Sequence, residues 1–172
     1  MILPKVRDPR LVTIRRGGSL RDADHQQLAL WAALCAEHVL PIFERAASGD
    51  RRPRQAIEAG RAWARGELRM MRARALGGHA MGAARPLTGA ARFAAYAAGQ
   101  AACVAHVPEH DLGAAAYAIR AAVGDAEPGQ EERTRKDECA WQLSQLQPGL
   151  RDLVIEDERR HNDICWHVFD KP

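Results

Sequence analysis

The sequence predicts an all-α protein, a compact bundle of about six helices with a short extended N-terminal arm. Three observations carry that prediction. The chain of 172 residues is 47% hydrophobic yet only 5% aromatic, so its core must be built from Ala, Leu, Val, Ile and Met, whose small side chains suit closely packed helices. Apolar residues recur with helical period from Leu20 onward. Polar or Gly/Pro turns interrupt that period at residues 48–53, at Gly77-Gly78 and at Pro148-Gly149. A chain of this length forms one domain by default, read here as an arm over residues 1–18 and a single helical domain over residues 19–172.

Leu11, Val12, Thr13 and Ile14 are mostly β-branched and read as extended, and Gly17-Gly18 closes the arm. Ser19 with Asp22 resembles a capping box and opens a first helix from Leu20 to about Ala47. Its inner face carries Leu28, Trp31, Cys35, Val39 and Ile42, and Pro41 predicts a kink or restart near His38. A second helix runs from Pro53 to Leu76, with Gly77-Gly78 as its stop. A third, from about Pro86 to Val107, has Arg92 as its one formal charge. A helix apolar all round belongs at the centre of a bundle. Phe93, Tyr96, Gln100, Cys103 and Val107 form one seam of it, while Ala95, Gly99 and Ala102 allow close approach on another. Asp111 is placed to cap a short helix ending at Gly124, residues 130–146 form the next, and a last helix starts near Leu150. The segment from Ile164 to Phe169 fits a helical continuation or a strand equally.

Cys35, Cys103, Cys139 and Cys165 lie far apart, each in an apolar stretch, and read as reduced core thiols of a cytoplasmic protein. No uncharged apolar run reaches the roughly 18–20 residues that cross a bilayer, so no membrane span is predicted. The net charge of +3 and pI near 8.9 fall short of the dense positive field of nucleic-acid binders.

Phosphate loops, nucleophile elbows and paired Cys-x-x-Cys units are absent from the sequence, so no catalytic residue, cofactor or metal ligand set is assigned. His106 and His110, four apart with Glu109 between them, have the spacing of a metal pair, but Pro108 spoils the helix and an interhelix turn fits better. Asp157 and His161 share a face with Leu150, Leu153 and Val154 and read as a buried link. On the second predicted helix Arg54, Arg61, Arg65, Arg69 and Arg72 align on one flank with Glu58. The stripe of Arg61, Arg65, Arg69 and Arg72 is either a solvated face or the docking site of an acidic partner protein. Nucleic acid ranks lower, because no aromatic residues interleave the stripe. Glu67 falls beside the core-facing arc of that helix and His38 on the apolar arc of the first. The two are expected to meet inside the bundle, as a buried polar link, a pocket with Trp63, His106 and His110, or an acid–base pair.

Several blocks together carry a family resemblance: Asp8-Pro9-Arg10-Leu11-Val12-Thr13-Ile14-Arg15-Arg16-Gly17-Gly18, the run from Leu28 through Trp31, Cys35, Glu37 and His38 to Leu40, and Arg61-Ala62-Trp63-Ala64-Arg65-Gly66-Glu67. The pattern continues through Ala105-His106-Val107 to His110 with Gly113-Ala114-Ala115, and into Ile164-Cys165-Trp166 with Val168-Phe169. These resemble the helical immunity proteins of bacterial polymorphic-toxin systems. The resemblance implies a non-catalytic protein that binds and neutralises a cognate toxin made by the same cell. A mildly basic inhibitor does not suit a basic nuclease target. Two alternatives stand beside this expectation: a small-molecule enzyme or resistance protein with a pocket around His38, Trp63 and Glu67, and a nucleic-acid binder using the Arg stripe.

Overall fold

Two helices that are apolar almost all round, α4 (Gly89–Cys103) and α5 (His110–Gly124), form the centre of the computed structural model. The described residues are 2 and 4–170; residues 1, 3, 171 and 172, which the predicted arm and domain include, lie outside them. Around this centre stand α1 (Asp22–Ala46), α2 (Arg52–Ala64) and α3 (Met70–Ala83), and α6 (Glu131–Ser144) and α7 (Pro148–Arg160) form a hairpin against α5. All seven helices are α-helical, and the described residues contain no strand beyond an isolated bridge between Thr13 and Leu20. The architecture is therefore all-α, with one helix more than the sequence predicts.

The additional helix comes from a break at residues 65–69. The predicted helix from Pro53 to Leu76 stops at Ala64, because Gly66 turns the chain with a φ of 77°, and α3 restarts at Met70. A left-handed φ is readily accessible to glycine alone among ordinary residues, so a tight reversal is built at this point. Gly77, expected to stop a helix, lies instead inside α3. A Cβ there would sit 2.7 Å from the Gly99 carbonyl oxygen and 2.9 Å from Cys103 Sγ. Glycine occupies the position because α3 crosses α4 with the two backbones nearly touching, which agrees with the close-approach seam read at Gly99.

Five further expectations are corrected. Leu11 to Ile14 is not one extended segment: only Val12 and Thr13 are extended, between 3-10 turns at Pro9–Leu11 and Ile14–Arg16. Ser19 does not cap α1, which begins at Asp22 after an N-cap Arg21 that makes no side-chain capping bond. α1 is not restarted near His38; it runs on through Pro41 to Ala46, although Pro41 has no backbone donor to offer the preceding turn. The segment from Ile164 to Phe169 is neither helix nor strand but a series of turns. Asp111 lies within the first turn of α5 rather than before it, its Oδ1 accepting from the Leu112 amide at 2.6 Å.

Ile2, Leu11 and Leu20 join the same apolar cluster as α1, α4 and α5, so the N-terminal turns are packed onto the bundle. Ion pairs fasten them at the other side. Arg160 of α7 reaches Asp8 at 2.6 Å and Arg10 reaches Glu156 at 2.8 Å. Arg7 grips the buried Glu109 through two hydrogen bonds of 2.6 and 2.5 Å. The four cysteines are unpaired, as expected.

Candidate binding site

The predicted site residues separate into three places. Of the arginine stripe, Arg61 lies on α2 and forks onto Glu37 of α1 at 2.7 and 2.6 Å, while Arg65, at the C-cap of α2, forks onto Glu67 at 2.9 and 2.6 Å. Arg69 and Arg72 are exposed at the start of α3. The continuous helix that aligned the four does not exist, so they form no single stripe.

His38 and Glu67 do not meet. Glu67 sits exposed in the α2–α3 turn with Arg65, which holds its carboxyl below the usual range. His38 turns toward α6: its Nδ1 is 2.8 Å from Glu138 Oε2 and its ring stacks on Trp141 with centroids 3.7 Å apart. Glu138 also accepts from Gln142 Nε2 at 2.9 Å, and Trp31 Nε1 donates to the Gln142 carbonyl at 2.8 Å. This network joins α1 to α6 and gives the buried Glu138 carboxyl its hydrogen-bond partners.

Trp63 and His106 do come together, with His25 as the partner the sequence reading missed. They line a cleft of about 370 Å³ whose other walls include Arg7, Arg16 and Leu68. His25 Nε2 lies 2.6 Å from the Val104 carbonyl oxygen, an acceptor, so Nε2 carries the proton and Nδ1 keeps its lone pair. Burial pushes the pKa of His25 down, and burial, with Arg74 and Arg16 nearby, does the same to His106. His110 lies behind His106, its ring 5.0 Å away, and donates from Nδ1 to Gln100 Oε1 at 2.6 Å. Burial and then His106 lower its pKa to about 4.

The most distinctive surface lies elsewhere, where α4, α5 and the C-terminal turns meet. The Arg120 guanidinium is held between the Phe93 ring, 4.1 Å from its centroid, and the Trp166 ring at 4.4 Å. Trp166 also packs on Tyr117 at 5.2 Å, Tyr117 on Tyr96 at 5.2 Å, and Arg92 donates to the Tyr96 hydroxyl at 3.1 Å. A cleft of about 530 Å³ opens among Arg92, Phe93, Tyr96, Tyr117 and Trp166, with Gln100 on its wall. Trp166 remains 43% exposed. Its φ is 57° and that of His167 is 59°, left-handed values that cost an ordinary residue about 1–2 kcal/mol each. The turns are held in that form by Arg135, which donates to the Val168 and Asp170 carbonyls at 2.8 Å, and by the Asn162 side chain, which accepts from the Phe169 amide at 3.0 Å. The sequence signal for this face was faint: Arg92 and Arg120 are the lone arginines of two alanine-rich helices.

The sequence profile of the family described as Imm-5 like putative immunity protein matches residues 18–148. The chain belongs to this family. The span takes in α1 to α6 and leaves the N-terminal turns and nearly all of α7 outside, the two segments that the Asp8–Arg160 and Arg10–Glu156 pairs fasten to each other. No curated protein and no solved structure matches the chain. Among the described residues no helix is long and apolar enough to cross a membrane.

Proposed function

We propose that this immunity-family chain binds a cognate toxin protein in the bacterial cytoplasm and neutralises it by occlusion, without chemistry of its own. The observation that carries the choice of surface is the Arg120 guanidinium stacked between Phe93 and Trp166 beside Tyr96, Tyr117 and Arg92. Trp, Tyr and Arg dominate the energetic centres of protein interfaces, because each offers a large contact area with a polar end. Stacked guanidinium groups are also oriented in advance to fork onto carboxylates of a partner. The reading favours an acidic loop of the toxin as the element that enters the cleft.

The test is co-expression with the toxin encoded beside this chain, combined with binding measurements. Trp166→Ala and Arg120→Glu are expected to keep native helicity, abolish protection and weaken binding by about 30-fold or more, the loss of an interface centre. Arg69→Glu with Arg72→Glu is the control and is expected to change affinity by less than about fivefold. Failure of the unaltered chain to protect would remove the function; equal protection by the Trp166 and Arg120 variants would remove the surface.

A further inference from the structure

α6 and α7 are consecutive and antiparallel, yet they scarcely touch. Between them lies a groove of about 670 Å³, within the range of small-molecule sites and lined mostly by apolar surface. Its walls are Ala140 and Leu143 of α6, Ile155 of α7 and Phe169 of the terminal turns. One acidic side chain interrupts them. Glu158 lines the groove, is only 8% exposed, and has no hydrogen bond or ion pair among the described residues. A largely covered carboxyl that opens onto an apolar groove, with no donor or counter-ion among the described residues, marks a place where a partner can bind.

We propose that this groove binds a small amphiphile carrying a primary ammonium group, its apolar body on Leu143, Ile155 and Phe169 and its ammonium on the Glu158 carboxylate. The groove shares no lining residue with the cleft beside Trp166, so this inference does not rest on the proposed toxin-binding face.

The choice of a cation follows from what faces Glu158. Its neighbour Asp157 is already taken by His161 at 2.9 Å, and Asp111 of α5 is a further buried acid beneath. Cys139 and Cys165 add two thiols whose protons burial and these acids hold in place. On the rim, Arg135 is engaged by Glu132 and two carbonyls, Lys136 leans on Glu132 at 3.5 Å, and Arg159 is exposed opposite Asp170. Burial and Asp157 raise the Glu158 pKa to about 8, and no cation among the described residues offsets them. The interior beneath the groove thus has an excess of acid that an ammonium would relieve, whereas a carboxylate ligand would add to it.

Calorimetric titration of the full chain with hexylammonium, octylammonium, octanoate and octanol tests the inference. Octylammonium is expected to bind one to one, more tightly than hexylammonium by about fourfold per methylene while the groove fills. Below the Glu158 pKa its affinity should rise about tenfold per pH unit, with one proton released on binding, because the ammonium selects the ionised carboxyl. Glu158→Gln, which keeps the shape, should lower octylammonium affinity about tenfold or more and flatten the pH dependence. Ile155→Trp, which fills the groove and keeps Glu158, should prevent binding if the Gln variant does not fold. Octanoate or octanol binding as tightly as octylammonium at pH 8, a flat pH profile, an indifferent Glu158→Gln variant or no saturable binding would each overturn the proposal.

Discussion

Where α3 crosses α4, Gly77 and Gly99 leave no room for a single added carbon; where α7 faces α6, about 670 Å³ stands open. The first region is built from alanine and glycine, and its stability comes from backbones brought close enough for many small contacts. The second is held by polar clamps: the His38–Glu138 link, the Arg135 grip on two carbonyls, and the ion pairs from Asp8 and Arg10 to α7. Dense packing tolerates no change of volume, whereas a clamped hairpin can leave a cavity and a buried acid unsatisfied. In this protein the Glu158 groove lies within the clamped part, and the Arg120 face lies where the terminal turns of that part meet α4 and α5.

The largest expected effect breaks the dense region. Gly77→Ala should lower stability by about 2 kcal/mol in urea unfolding, because overpacking against the Gly99 carbonyl outweighs the gain in helix propensity. Ala140→Leu, pointing into the groove, should cost less than about 0.5 kcal/mol. Equal losses from the two would end the contrast between packed and clamped regions.

A second effect sharpens the comparison through pH. The Glu158 carboxyl has a folded pKa of about 8, above its ordinary value of 4.5, so the folded state binds the proton more tightly. Its contribution is present in full below about pH 4.5 and is lost as pH rises toward 8, with a slope of at most about 1.4 kcal/mol per unit. His110 acts oppositely: with its pKa lowered to about 4, its contribution is present above about pH 6.5 and is lost on acidification. Glu158→Gln should remove the alkaline slope and leave the acid one, as read from thermal unfolding at pH 5, 6.5 and 8. A variant that lost stability equally at all three would show that Glu158 stays charged.

The smallest effect concerns the clasp between the chain's two ends. Arg10 holds the largely covered Asp8 carboxyl well below its usual pKa. Arg160 itself is half exposed and its loss leaves Asp8 paired with Arg10, so Arg160→Ala should cost less than about 1 kcal/mol in global unfolding. It should nevertheless raise amide exchange in α7 selectively, since that helix has few packed contacts to replace the pair. Uniform exchange along the chain would make α7 part of the dense region.

The sequence by itself determined the all-α class, the central place of α4, the free cysteines, the Asp157–His161 link and the family. These follow from periodicity, composition and short-range spacing, which are properties of neighbouring residues. Tertiary structure decided what depends on residues far apart in sequence. Gly66 and Gly77 look alike as helix stops, yet one turns the chain and the other lets α4 approach, a difference set by the presence of Gly99 opposite Gly77. His38 chose Glu138, a hundred residues away, over the nearer Glu67 because the break after Ala64 carried Glu67 into solvent. Arg120, unremarked in sequence, and Trp166, noted there only within the family resemblance, came together because the C-terminal turns fold back across α5. One helix can be read from its own periodicity, but which side chains share a surface is fixed only when helices pack, since that depends on the summed directions of every intervening turn.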